Sequence, residues 1–257
     1  DSDVQKYVQN AMLRAGKTFS EIGEHDYAAN IFYIYMDRYS PRARKRPGER
    51  VQAARPARAR PRTADEEDEE DDELYSTARY ALGREYIALN NVNNLINLFQ
   101  PFVSGLRDDP FRLSALKLLG FHAARVDRTQ EAVLAYATIL DEYGENPTDA
   151  KGKALPVPES QRLRTSQHSW NGIRTAPPKD FDLGEIRYHL GFLYWRQENW
   201  EKTAQTLAPF LDDAALKSSK ARDKALYMAG QSCFKMYDYA NSTRFMIWVM
   251  RARETWP

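Results

Sequence analysis

Five glycines recur in phase along this chain, and a glycine inside a helix needs a reason. They are Gly16 in "MLRAGKTF", Gly83 in "RYALGREY", Gly120 in "LKLLGFHA", Gly191 in "RYHLGFLY" and Gly230 in "LYMAGQSC". Each stands among good helix formers, where glycine costs about 1 kcal/mol relative to alanine. Each follows a small or apolar residue: Ala15, Leu82, Leu119, Leu190 or Ala229. Three positions later comes Phe19, Tyr86, Ala123, Tyr194 or Cys233. Further on come Ala28, Leu95, Ala132, Thr203 and Ser242, and then Phe32, Phe99, Tyr136, Leu207 and Met246. A small residue at one fixed place in a repeated apolar pattern implies that a second helix crosses closely there. Burial of the flanking side chains, at roughly 1.5–3 kcal/mol each, offsets the cost of the glycine.

The glycine-to-glycine spacings are 67, 37, 71 and 39 residues. The long ones equal a period of about 34 plus insertions of roughly 33 and 37 residues, the pattern of a helical-hairpin array. The run Leu190, Gly191, Tyr194, Trp200 resembles the tetratricopeptide repeat, and the other four copies are similar to it in phase. The resemblance covers everything except the two insertions. It implies an all-α, right-handed superhelical solenoid of about five helix-turn-helix hairpins. The stretch "YAANIFYIYMDRYSP" also resembles second helices of bacterial envelope lipoproteins of the BamD and CpoB type, although Tyr39-Ser40-Pro41 departs from their Tyr-Pro ending by one residue.

The expected organisation is a first hairpin at 1–41, an insertion at 42–73, two hairpins at 74–144, a loop insertion at 145–181 and two hairpins at 182–257. The first insertion is low in complexity, arginine-rich at its start and ending in nine consecutive acids, Asp65 to Glu73. Val51 is its one branched aliphatic, so burial cannot offset ordering and disorder is expected throughout. The second insertion is broken by Pro, Gly and Ser. Its one large anchor, Trp170, is expected to tuck against the helices and pin the loop.

Several function classes are argued against. The net charge is +1, so no global field points to nucleic acid, and the acid run beside the arginines would repel phosphate. No apolar run approaches the ~20 residues needed to span a membrane. The first residues, "DSDVQKYVQN", have neither a basic nor an apolar leader region. A single cysteine, Cys233, precludes an intrachain disulfide and reads as a small core residue. The four histidines form no zinc spacing, and there is no P-loop, dinucleotide glycine pattern or nucleophile elbow. The expectation is therefore no catalysis, no metal and no cofactor.

The resemblance implies a concave groove lined by the first helices, at positions three before, one after and four after each glycine. Those positions, with an adjacent cation, give Lys17, then Tyr80 and Arg84, then Lys117, Phe121 and Arg125. They continue with Tyr188, Phe192, Trp195 and Arg196, then Tyr227, Phe234 and Lys235. Leu13, at the first such position, falls in the same set. Aromatic residues and Arg dominate binding hot spots, so a protein or peptide partner within a larger complex is expected. The alternative is a self-assembling component of an envelope or motility complex. The run Phe245-Met246-Ile247-Trp248-Val249-Met250 covers every side of a helix, which leaves Ile247 and Trp248 as a terminal interface. Periplasm and cytoplasm both remain open as compartments.

Overall fold

The structure, a computed structural model, describes residues 2–40, 64–106, 109–143, 169–170, 173–174, 182–213 and 216–254. These residues form helices joined by short turns, with two-residue strands β1 (Ser169–Trp170) and β2 (Ile173–Arg174) paired antiparallel. The helices are α1 (Ser2–Glu21), α2 (His25–Arg38), α3 (Ala64–Ala88), α4 (Val92–Phe99), α5 (Pro101–Ser104), α6 (Arg112–Arg125) and α7 (Thr129–Tyr143). They continue with α8 (Leu183–Arg196), α9 (Trp200–Leu207), α10 (Pro209–Asp212), α11 (Arg222–Lys235) and α12 (Tyr239–Glu254). The chain forms two compact units, Asp1–Ala115 with Ser166–Ala176, and Leu116–Thr165 with Pro177–Pro257.

Each recurring glycine marks a helix crossing. A Cβ built on Gly16 would meet the ring of Phe32, on Gly83 that of Phe99, and on Gly120 that of Tyr136. On Gly191 it would meet Leu207 and on Gly230 Met246, in every case at 3.0 Å or less. The partner always lies sixteen residues on, in the following helix. The turn between is also the same five times. Seven residues after each glycine the backbone is left-handed, at Gly23 (φ 84), Asn90 (53), Asp127 (60), Glu198 (56) and Tyr237 (62). The next amide then donates back to a first-helix carbonyl, Glu24 to Phe19 at 2.9 Å and Asn91 to Tyr86 at 2.7 Å. Arg128 to Ala123, Asn199 to Tyr194 and Asp238 to Cys233 follow, each at 2.9 Å. This closing bond satisfies carbonyls that a helix end would otherwise leave open.

The second and fourth pairs share a further device. In both the second helix is eight residues long, and its N-cap asparagine accepts from an amide three residues on, Asn91 from Asn94 and Asn199 from Lys202. In both a proline then starts a four-residue helix, because a ring without an N–H breaks the hydrogen-bond ladder. A buried or half-buried arginine from the next helix ties off that ending. Arg112 donates to the Gly105 carbonyl, and Arg222 donates to the Phe210 carbonyl at 3.1 Å.

Packing within each unit follows from these closures. In the first, α1 packs on α2 and both pack on α3 around Leu13, Phe32, Tyr35 and Leu82. In the second, α8 packs on α7 and α9, and α11 packs on α8, α9 and α12 around Leu207, Phe210, Leu226 and Phe245.

Two expectations need comment. Helix α3 starts at Ala64, so the acid run to Glu73 is helical and the expected disorder is corrected there. Acidic side chains favour a helix N-terminus, where the backbone dipole is positive, and Leu74 to Ala88 supplies a packed continuation that nucleates the helix. Residues 42–63, and the second insertion apart from the β1–β2 ladder, lie outside the described residues.

The crossings make a prediction. Gly83→Ala and Gly120→Ala should each destabilise the chain by about 2–4 kcal/mol, because a buried aromatic ring must move. Gly23→Ala meets nothing within 4 Å and should cost only about 1–2 kcal/mol, from its left-handed backbone. Urea denaturation checks both.

Candidate functional site

The residues expected in the groove separate by position. Those directly after the glycine, Arg84, Phe121 and Phe192, are exposed, and Lys17 is half-buried. Those three before it are largely packed away. Leu13 is fully buried, and the Tyr80 ring stacks on Phe111 at 4.7 Å and on Phe99 at 6.4 Å. Burial pushes the Tyr80 phenol above its ordinary pKa, so Tyr80 belongs to packing within its unit. Tyr227 is the exception among these positions and stays exposed.

In the second unit α8 carries a row of rings. Tyr188 stacks near Phe192 at 6.4 Å, Phe192 near Trp195 at 6.4 Å, and Trp195 meets the edge of Trp200 at 6.3 Å. Phe121, Phe192, Tyr227 and Phe234 keep 46%, 36%, 46% and 58% of their surface in solvent. That is far more than burial-driven packing leaves on an aromatic side chain. Trp195 is half-buried and packs on the core.

The cations are less free than their number implies. Lys117 pairs with Glu185 at 3.4 Å and Arg196 with Asp127 at 2.8 Å. Arg125 stacks on Phe121, 5.8 Å from the ring centroid. Among the described residues Lys235 has no ion-pair partner. The face is thus aromatic first and basic second.

On α12 the six-residue apolar run divides. Phe245 is buried and Met246 covers Gly230, while Ile247, Trp248 and Met250 are exposed. The Arg222 guanidinium lies over the Trp248 ring at 5.1 Å.

Sequence reasoning missed one cluster. Glu85 on α3 is 4% exposed and accepts from the Ser20 hydroxyl and from His25 Nδ1, both at 2.7 Å. It lies two residues after its glycine, where the fourth hairpin carries buried Leu193. A charge at that core position was the available signal. The order is serine–carboxylate–histidine, not the serine–histidine–carboxylate order of a catalytic triad.

Other polar groups serve the fold. The Arg79 guanidinium sits over Tyr75 and Phe102 and approaches Asp109 at 3.5 Å, and burial raises the Asp109 pKa. Burial raises that of the Cys233 thiol as well, which disfavours the reactive thiolate. Among the described residues no group of three His, Cys, Asp or Glu side chains could hold a metal ion. Nor is any helix among them long and apolar enough to cross a membrane. No protein-family model matches this chain, and no curated protein matches it.

His189 stacks on Tyr136 at 5.7 Å, and burial holds its pKa below the ordinary histidine value, against the pull of Glu185 at 3.8 Å. The unfolded chain therefore takes up this proton first, and stability present above about pH 6.5 is lost as the pH falls. The urea midpoint should drop between about pH 7 and 5, and His189→Phe should flatten that drop while keeping the stack.

Proposed function

We propose that this chain is a non-catalytic scaffold of the tetratricopeptide type, a solenoid of helix hairpins that holds a partner protein or peptide within a larger assembly. The observation that carries this reading is the exposed aromatic face of the second unit. Phe121, Phe192, Tyr227 and Phe234 project from first helices of successive hairpins, with Arg125, Arg196 and Lys235 beside them. Rings left in water at regular helical positions are anchors for apolar side chains of a partner. The neighbouring cations favour acidic residues between those anchors. The five crossings of one geometry and their shared turn support the repeat reading, because each is the same local unit made again.

Affinity capture from the native source with the wild-type chain, compared with Phe192→Ala and Phe234→Ala, tests the reading. Each truncation should weaken capture of the specific partner by more than about 1 kcal/mol, roughly fivefold or more, with unchanged circular dichroism. Equal capture by both variants would sink it.

The exposed side of α12 supports a second contact, with another chain or another copy of this one. Replacing Ile247 and Trp248 together by glutamate should abolish any concentration-dependent association seen by light scattering. It should leave the melting temperature within a few degrees, since neither side chain is buried. Loss of the last hairpin instead would make both residues part of the core.

A further inference from the structure

We propose that α1 of one copy of this chain docks on α12 of another, head to tail. This names the occupant of the α12 contact put forward above, and it rests on the repeat reading of the hairpins. Inside the chain the second helix of one hairpin packs on the first helix of the next three times: α2 on α3, α7 on α8, and α9 on α11. Stacked repeats bury their apolar sides against such neighbours. The three junctions show which side of each helix the contact uses.

On first helices it is the side that holds the residues five before, two before and two after the glycine. Steps of three and four place these on one side of a helix. At five before, Ala78, Ile186 and Ala225 are all buried. At two before, His189 stacks on Tyr136 of the preceding α7 at 5.7 Å. At two after, Glu85 meets His25 of the preceding α2, and Leu193 and Ser232 are buried. In α1 the same three places hold Ala11, Arg14 and Thr18, and every one is exposed. Tyr7, one turn before Ala11, keeps 77% of its surface in solvent. Ala11 matches Ala78 and Ala225 in kind. Helix α1 therefore carries the small residue that two of the junctions use, yet presents it to water.

On second helices the matching side holds the residues nine, thirteen and twenty after the glycine. In α2 these are His25, Ala29 and Met36. His25 reaches Glu85 of α3, Ala29 is buried, and Met36 packs against the core that α2 shares with α3. In α7 they are Thr129, Val133 and Leu140, all half-buried. In α12 they are Tyr239, Thr243 and Met250, all exposed. Ile247 borders this side, one turn before Met250. The open sides of α1 and α12 are thus the two halves of a contact that the chain makes three times. They also fit in size: Tyr239 and Met250 are long, while Ala11 and Thr18 leave room for them. A second copy supplies the missing half to each. The surfaces that meet are different on the two copies, so the contact does not close at a dimer and extends with concentration.

Sedimentation of the full-length chain, of Ala11→Glu and of Met250→Glu tests this. Both positions are exposed, so circular dichroism should match wild type. The wild-type mass should rise with concentration. Each variant alone should stay at the monomer mass, because docking would bury an unpaired carboxylate and weaken the contact by about a hundredfold or more. Mixed in equal amounts, the two variants should form a species of twice the monomer mass and nothing larger. Ala11→Glu contributes an intact α12, Met250→Glu an intact α1, and the blocked sides stop growth. Tyr7→Glu and Thr243→Glu provide a second such pair, which decides the matter if either first substitution lowers the helix signal. A wild type that stays monomeric at about 1 mM overturns the proposal, as does undiminished association of the variants or their failure to pair when mixed. Loss of association in Met250→Glu but not in Ala11→Glu would leave the α12 contact standing and overturn α1 as its occupant.

Discussion

The described fold rests on one contact, a side chain pressed against a bare backbone carbon. Phe32, Phe99, Tyr136, Leu207 and Met246 occupy the space that a Cβ would fill on the glycine sixteen residues earlier. The glycine raises the free energy of its own helix, and the crossing returns more than that by burying a large side chain and bringing two helices to close range. Everything else in a hairpin follows from making that approach possible. The turn must reverse the chain in a few residues, and the left-handed residue with its closing hydrogen bond does so each time. Once α1 and α2 are closed in this way, their shared apolar side is what α3 packs against.

Much of this could be read in advance, and the reasons are physical. Glycine in a helix is rare enough that five in phase carry information, and the large partner residues were visible at a constant distance. The turn geometry was less legible, because Glu198 and Tyr237 are side chains that seldom accept a left-handed backbone. The residues expected in a groove differ in exposure. Helical periodicity identifies which residues share a face, but it does not say whether a neighbouring helix covers that face. Hence Tyr80 and Leu13 are packed where Phe121 and Phe192 are open. Composition misled at Asp65 to Glu73, since it weighs what a segment can bury and takes no account of the helix that follows it. Glu85 escaped because its importance depends on Ser20 and His25, sixty or more residues away along the chain.

The two units differ in how they present polarity. In the first, charge is turned inward: Glu85 is bridged by Ser20 and His25, and Asp109 is enclosed near Arg79. In the second, aromatic surface is turned outward, and two of the cations near it, Lys117 and Arg196, are already paired with carboxylates of the same unit. A molecule that meets the first finds a small polar recess; one that meets the second finds a broad apolar face with a few charges.

Five similar hairpins in one polypeptide raise the risk of exchanging halves during folding, when a first helix could close on the wrong second helix. The identity of the residue at each crossing works against this. The hollow at Gly191 is shaped to a branched Leu207 and that at Gly230 to a linear Met246, whereas Gly16 and Gly83 receive flat phenylalanine rings. A phenylalanine offered to the Gly191 hollow would collide, and a leucine at Gly83 would leave a void. Mismatched pairings thus lose packing that the correct ones gain. Each correct partner is also only sixteen residues away, so it meets its glycine before a more distant rival can, and loop closure over so short a span is fast.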